Sequence, residues 1–316
     1  MKKIISSSII FLLLIAMLTG CSVKKPQETK QPEKEQANTA STLPDVDRAG
    51  NKIAVPENIN KIITMAPSIA EVLVDIGFGG KIVAADTQSK NIEGLSKDIP
   101  YIDMMSPDAE QIIALKPDVI FASTMSMVEG NDPFKPLKDA GICVIYIPSS
   151  DSIEGIYEDI IFISKVMKAD EKGQLLVDNM KTKIEDIKKI SSTIKDKKTV
   201  YFEIAAAPSM YSFGSGVFLN EMIEIIGAEN VLAKEKSWIA VSEETILASN
   251  PDIIITNVNY IENPVDEILS RSGWENLTAV KNREVYYVDN MTSSLPNHNI
   301  IKALEEMAHL IYPDKF

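Results

Sequence analysis

From residue 61 onward, short apolar runs alternate with longer amphipathic stretches. The runs 61–66, 82–86, 119–123 and 143–148 are β-branched and nearly free of polar alternation, as strands buried on both faces of a parallel sheet are. Between them, 68–76 closed by Gly77, 108–115 closed by Pro117 and 133–140 closed by Gly141 read as helices. A second set of strands is predicted over 199–205, 253–257 and 285–289, with helices over 217–226, 243–248 and 299–312. The βα alternation implies right-handed crossovers onto a parallel sheet in each set. Between the sets, 152–167 and 170–195 carry a helical pattern and no strand signal. In the second stretch Leu176, Met180, Ile184, Ile187 and Ile194 form one apolar face. A helix of that length spans roughly 40 Å, enough to brace two lobes. The fold class is α/β: two Rossmann-like lobes, residues 45–150 and 197–316, joined through a helical segment 151–196 that contains a long rigid inter-lobe helix, with a ligand cleft between the lobes.

Residues 108–120 align without gaps to residues 242–254. Each copy reads as N-cap, short helix, proline stop and strand: Asp108 and Ser242 cap, Glu110 and Glu244 fall two positions inside, and Pro117 and Pro251 end the helix. A glutamate in the first turn complements the helix dipole by about 0.3–1 kcal/mol. That accounts for one such residue better than for its recurrence in both lobes.

The first residues are an address. Lys2 and Lys3 precede an apolar stretch, 9–18, too short for a bilayer span of roughly 20 residues, as in a secretory signal. Leu18-Thr19-Gly20-Cys21 reads as a lipobox, with residues 1–20 removed and the Cys21 thiol acylated. Residues 21–44, rich in Lys, Gln, Glu, Pro and Thr, cannot bury enough surface to order themselves and read as a flexible, lipid-anchored linker. The globular part is thereby expected on the extracytoplasmic face of the cell membrane, at the cell surface or in a periplasm. Cys143, in the apolar run 142–147, reads as an inert core thiol.

Composition narrows the chemistry. The formal net charge of −13, and the presence of only three arginines, Arg48, Arg271 and Arg283, argue against nucleic acid. Two Cys and two His, His298 and His309, leave no framework for a structural metal or disulfides, and bare zinc or manganese is disfavoured. There is no Gly-x-Ser-x-Gly elbow, His-Glu-x-x-His or phosphate loop, so no catalytic residue is assigned and an exported enzyme is the weaker alternative. Asp86 and Glu203, at strand ends, read as exposed polar rim in preference to a carboxylate pair.

Several segments in order carry a resemblance: Arg48-Ala49-Gly50-Asn51-Lys52 before Val55-Pro56, Ala66-Pro67-Ser68-Ile69-Ala70-Glu71-Val72-Leu73 with Gly77, and Glu110 with 114–118. Gly227-Ala228-Glu229-Asn230-Val231 and Ser242, Glu244, Asn250-Pro251-Asp252 continue the series. Following a lipobox, they make the chain from about residue 45 to 316 similar to the substrate-binding lipoproteins of ABC importers for iron complexes and cobalamin. The resemblance implies the class III binding-protein fold, a monomer without intrinsic cofactor, and an ABC permease dimer as partner. In that family one glutamate from each lobe docks on the permease; by motif position these are Glu110 and Glu244, with Glu71 ranked below them.

Ligands of open α/β sheets bind beyond the carboxyl ends of the strands. Those ends hold Met65, Pro67, Ser68, Tyr101, Met104, Met105, Met125 and Met127 in the first lobe, and Met210, Tyr211, Trp238, Asn259, Tyr260 and Met291 in the second. More than half of the 13 methionines fall here, with aromatics and almost no fixed charge apart from Lys236 and, further off, Lys90. A soft, polarizable cleft suits a large, mostly apolar metal chelate: a ferric siderophore of low charge or a haem, with a corrinoid (cobalamin) as the alternative. Trp238 stands where the cobalamin-binding member of the family also carries an aromatic. A ligand-free structural lipoprotein is a further alternative.

Overall fold

A computed structural model describes residues 43–127 and 130–316. Cys21, the predicted leader and nearly all of the predicted linker lie outside the described residues.

In chain order the first lobe comprises β1 (Ile62–Met65), α1 (Pro67–Asp75), β2 (Ile82–Asp86), β3 (Tyr101–Ile102), α2 (Ala109–Leu115), β4 (Val119–Ser123), α3 (Lys135–Asp139) and β5 (Cys143–Ile147). The strands pair in parallel in the order β3-β2-β1-β4-β5. Two consecutive helices follow, α4 (Ile153–Val166) and α5 (Asp170–Ser191). The second lobe contains β6 (Thr199–Glu203), β7 (Tyr211–Phe213), α6 (Phe218–Ile226), β8 (Glu229–Asn230), β9 (Trp238–Ala240), α7 (Glu243–Ser249) and β10 (Ile253–Thr256). It ends with α8 (Pro264–Leu269), α9 (Thr278–Asn282), β11 (Val285–Tyr287), α10 (Asn290–Ser294) and α11 (Ile300–Ile311). Its sheet is again parallel, β11-β10-β6-β8, with β7 and β9 forming a separate antiparallel pair. The chain is thus α/β with two parallel sheets. The strands that the pattern does not predict, β3, β7, β8 and β9, have two or three residues each, too few to show a period.

Successive strand residues point to opposite faces, and the core divides accordingly. Ile62, Val119, Phe121 and Ile145 of the first sheet and Val200, Phe202, Ile253 and Ile255 of the second belong to one continuous apolar cluster. That cluster runs through Val177, Met180, Ile184 and Ile187 of α5. Of the face read from the sequence, Met180, Ile184 and Ile187 are buried in it, while Leu176 and Ile194, the latter beyond the helix end, pack against it partly buried. The opposite faces are separate: Ile63, Met65, Ile120 and Tyr146 in the first lobe, Tyr201, Ile254 and Trp274 in the second. The 22-residue α5 is about 33 Å long. Near its start, Lys172 Nζ donates to the Ile76 carbonyl of the first lobe at 2.7 Å. Beyond its end, Ile194 approaches Gly227, the left-handed cap of α6 in the second lobe, where a Cβ would meet Ser191 at 3.1 Å. A polar latch adds to this link: Asn297 and Asn299 donate to Glu71 Oε2 at 2.6 and 3.0 Å, and His298 meets Asp75 at 2.5 Å. Among the described residues, no helix is long and apolar enough to cross a membrane.

The repeat seen in the sequence is also a repeat of geometry. α2 and α7 have seven residues each, and Asp108 and Ser242 accept hydrogen bonds from the first-turn amides. Both helices end in a left-handed non-glycine cap, Lys116 (φ 53°) and Asn250 (φ 44°). After the proline, Asp118 accepts from the amides of Asn60 and Lys61 at 2.7 and 2.9 Å, just before β1. Asp252 accepts from the Thr199 amide and hydroxyl, each at 2.8 Å, at the start of β6. The two amides hold the Asp118 carboxyl below the usual carboxylate range.

The structure corrects the reading of Glu203 and Asp86 as exposed rim: each is 1% exposed. They lie in different lobes and have separate partners. Glu203 takes two bonds from the buried Arg271 guanidinium, at 2.9 and 3.1 Å, and Glu267 shares the same group. Burial pushes the Glu203 carboxyl up even beside that cation, whereas its bonds to Glu203 and Glu267 hold Arg271 charged against desolvation. Breaking a buried pair leaves an uncompensated charge, which costs about 3–5 kcal/mol, while replacing both partners by apolar groups is often neutral. Urea unfolding should therefore show Arg271→Met destabilised by about that amount and Arg271→Met/Glu203→Leu restored by more than half of it. Equal loss in both variants would mean that Arg271 acts through packing on Trp274 and not through its charge.

Candidate functional site

A cavity of about 310 Å³ opens where the carboxyl ends of the first sheet face the second lobe. Its lining takes Ala66, Pro67, Ser68 and Ile69 beyond β1, Asp86 and Gln88 at β2, and Met104 after β3. Ser123 and Met125 at β4, and Ile147, Pro148 and Ser149 at β5, complete the first lobe's side. The second lobe contributes Asn290, Met291 and Ser294 of α10 with Leu295 and Pro296. Three larger hollows, of about 630, 710 and 520 Å³, are lined by charged residues: Glu154, Lys188 and Lys197 around α4 to α6, Glu229 and Lys234 near β8, and Lys183, Asp186 and Glu305 between α5 and α11. None of them draws on the carboxyl ends of the first sheet together with the second lobe, so the smaller inter-lobe cavity is the candidate site.

Local hydrogen bonds fix its walls. Asp86 Oδ1 accepts from the Gln88 amide at 2.8 Å and Oδ2 from the Met104 amide at 3.1 Å, tying two rim loops together. The Ser123 hydroxyl accepts from the Met125 amide at 3.2 Å, and Ser126 donates to the Ser123 carbonyl at 2.6 Å. On the far wall Asn257 donates to the Ser293 and Ser294 hydroxyls at 2.9 and 3.0 Å, and Asn290 donates to the Asn257 carbonyl at 2.7 Å. These bonds pin α10 to the end of β10 and present Met291. Among the described lining residues Asp86 is the sole ionisable side chain, and both of its oxygens are engaged by backbone amides.

Of the residues expected at the cleft, Pro67, Ser68, Met104, Met125 and Met291 come together in the cavity. Met65 and Met210 do not and are corrected: their side chains are buried in the two outer cores. At Met65 the strand alternation turns the side chain away from the cleft, whereas Met210 stands in the loop before β7, where its sulfur accepts from Arg271 at 3.3 Å. Tyr101 is half-buried, with its hydroxyl donating to the Ser96 carbonyl at 3.3 Å. Met105, Met127, Tyr211, Asn259 and Tyr260 are exposed outside the cavity lining. Trp238 also lies outside it: its ring packs at 5.9 Å from Phe213 and 6.4 Å from Phe218, and its indole N–H donates to Asp151 at 3.3 Å. Lys236 and Lys90 do not line the cavity either. The sequence places Asn290 and Met291 at the end of β11 but passes over Ser294, Leu295 and Pro296, because five-residue α10 gives no periodic signal. Cys143 is a free thiol that burial pushes up to about 11, in keeping with an inert role.

Glu110 and Glu244 are both exposed, and neither carboxylate has a hydrogen-bond or ion-pair partner among the described residues. A helix feeding a parallel strand runs antiparallel to it, so α2 and α7 begin at the carboxyl edges of their sheets, the side on which the cleft opens. Glu71 is instead consumed by the inter-lobe latch.

The whole chain aligns at 32% identity with 99% of the "Uncharacterized ABC transporter substrate-binding lipoprotein YvrC" of Bacillus subtilis. The molybdate-binding protein MolA of Haemophilus influenzae is 26% identical over 85% of each chain. A solved Staphylococcus epidermidis structure, described as a possible iron-binding (periplasmic solute-binding) protein, superposes with a TM-score of 0.72 at 29% identity, covering 81% of this chain and all of that one. The model of the "Periplasmic binding protein" family matches residues 62–292. Parallel sheets facing each other across a cleft, with sequence similarity along the full length, make this chain a member of the periplasmic binding protein family, alongside ABC transporter substrate-binding proteins.

Proposed function

We propose that this chain is the extracytoplasmic substrate-binding subunit of an ABC importer, and that it carries a metal chelate of the ferric-siderophore or haem class in the inter-lobe cavity. The observation that carries the reading is the lining itself: thioethers from both lobes, prolines and uncharged polar groups, with the one carboxylate already satisfied. An apolar chelate gains from burying its surface there at about 25 cal/mol per Å². A bare oxyanion such as the molybdate of the MolA relative would meet neutral hydroxyl and amide donors in these walls but no cation to balance its charge. The iron-binding description of the Staphylococcus structure supports the iron class. The corrinoid alternative loses the support of Trp238, which packs away from the cavity.

In this reading residues 45–150 and 197–316 are the lobes, 151–196 joins them, and the chain acts as a monomer without catalysis. Cys21 carries the lipid anchor, in line with the lipoprotein description of the Bacillus relative. Glu110 and Glu244 dock on cationic residues of the permease dimer, a two-point grip that sets orientation and association rate more than affinity.

Visible absorption titration of the purified chain with haem, a neutral ferric hydroxamate and cyanocobalamin, and calorimetric titration with colourless molybdate, test the ligand class. Haem or the hydroxamate should saturate at micromolar or lower concentration, and Ser68→Trp, which fills the cavity, should weaken that binding at least ten-fold. Binding of molybdate alone would overturn the assignment. In cells supplied with the bound chelate, Glu110→Ala/Glu244→Ala should abolish uptake and leave the titration unchanged; normal uptake would remove the docking role. Cys21→Ala should shift the chain from the membrane fraction to the soluble fraction and prevent labelling by palmitate.

A further inference from the structure

Among the described residues ten large apolar side chains are left exposed, and half of them, Met105, Met125, Met127, Tyr211 and Tyr260, lie on the cleft rim. Val46, Leu175 and Tyr287 are scattered singly, whereas Ile113 on α2 and Leu247 on α7, 42% and 38% exposed, form a matched pair. They occupy equivalent positions of the internal repeat, and behind them the equivalent Ile112 and Ile246 are fully buried. Each stands three residues after Glu110 or Glu244 and one before an exposed alanine, Ala114 or Ala248. Residues three and four apart share a helix face, so each lobe presents one carboxylate, one branched aliphatic and one methyl group side by side. A single exposed aliphatic is ordinary. Its recurrence is not, because other surface positions of the same two helices differ: Gln111 against Thr245 and Lys116 against Asn250.

We propose that Ile113 and Leu247 are the apolar anchors of the docking face, each seated in an apolar socket beside a Lys or Arg on one of two equivalent halves of the permease. The inference rests on the docking reading of Glu110 and Glu244 and adds a second kind of contact to it. A surface repeated across two lobes matches a partner built as a two-fold dimer. The unpaired carboxylates call for cations, and a chain of net charge −13 would bring like charges together if a second copy occupied this face. The two contacts divide the work. Carboxylates at the edge speed encounter, and desolvated aliphatics slow release.

The test uses the permease–ATPase complex that co-purifies with the tagged full chain, reconstituted in nanodiscs and titrated at low and high salt. Ile113→Ser and Leu247→Ser should each weaken Kd roughly ten-fold, mainly through faster dissociation, with the salt dependence unchanged. Glu110→Ala/Glu244→Ala should flatten the salt dependence and slow association. Because both aliphatics are already exposed, the serine variants should keep the thermal midpoint and the chelate titration of the parent chain. Wild-type affinity in the serine variants beside weakened glutamate variants would overturn this inference and leave the docking reading standing. Wild-type behaviour in the glutamate variants as well would overturn both. Self-association in the ultracentrifuge that the serine substitutions abolish, with permease binding intact, would reassign the face to contact between copies.

Discussion

The structure depends on one continuous apolar cluster that passes from the inner face of the first sheet, through α4 and α5, to the inner face of the second. Each fully buried aliphatic in it contributes about 1.5–3 kcal/mol relative to exposure, so separating the lobes along this seam would forfeit many such terms at once. Packed cores are close to incompressible. The lobes are therefore held at a nearly fixed separation, and the cavity between them has a shape set by the core behind it. The latch from Glu71 to Asn297 and Asn299 fixes orientation at the edge of that seam and adds modestly to it.

Each lobe repeats the same local solution to a topological problem. A short helix must stop, reverse and enter the sheet beside the strand that opens the lobe. Lys116 and Asn250 make the turn in the left-handed region, and Asp118 and Asp252 bind the backbone just before or at the start of β1 and β6. These residues keep the unit compact. They do not account for what α2 and α7 display outward, since a helix needs neither an unpaired glutamate nor an exposed branched aliphatic in order to fold.

How much of this was legible in the sequence varies with element length. The long runs that became β1, β2, β4, β5, β6 and β10 and the amphipathic α5 declared themselves, because burial on both faces or on one helical stripe leaves a pattern of many residues. The two- and three-residue strands β3, β7, β8 and β9 and the five-residue α10 left no such trace, and with α10 went Ser294, Leu295 and Pro296 of the cavity's far wall. At the site, position relative to a strand end located Ser68, Met104, Met125 and Met291 but could not say which way a side chain turns. Met65 and Met210 therefore fell on the wrong face. Asp86 and Glu203 show the converse: a charged residue at a strand end reads as solvated, whereas here amides and a guanidinium in the fold satisfy it.

Because α2 and α7 start on the same edge at which the cavity opens, any body that rests on both helices also roofs the opening. The cargo would then leave a compartment sealed from bulk solvent, a vestibule with protein below and protein above. A poorly soluble or reactive passenger could cross it without ever being returned to water.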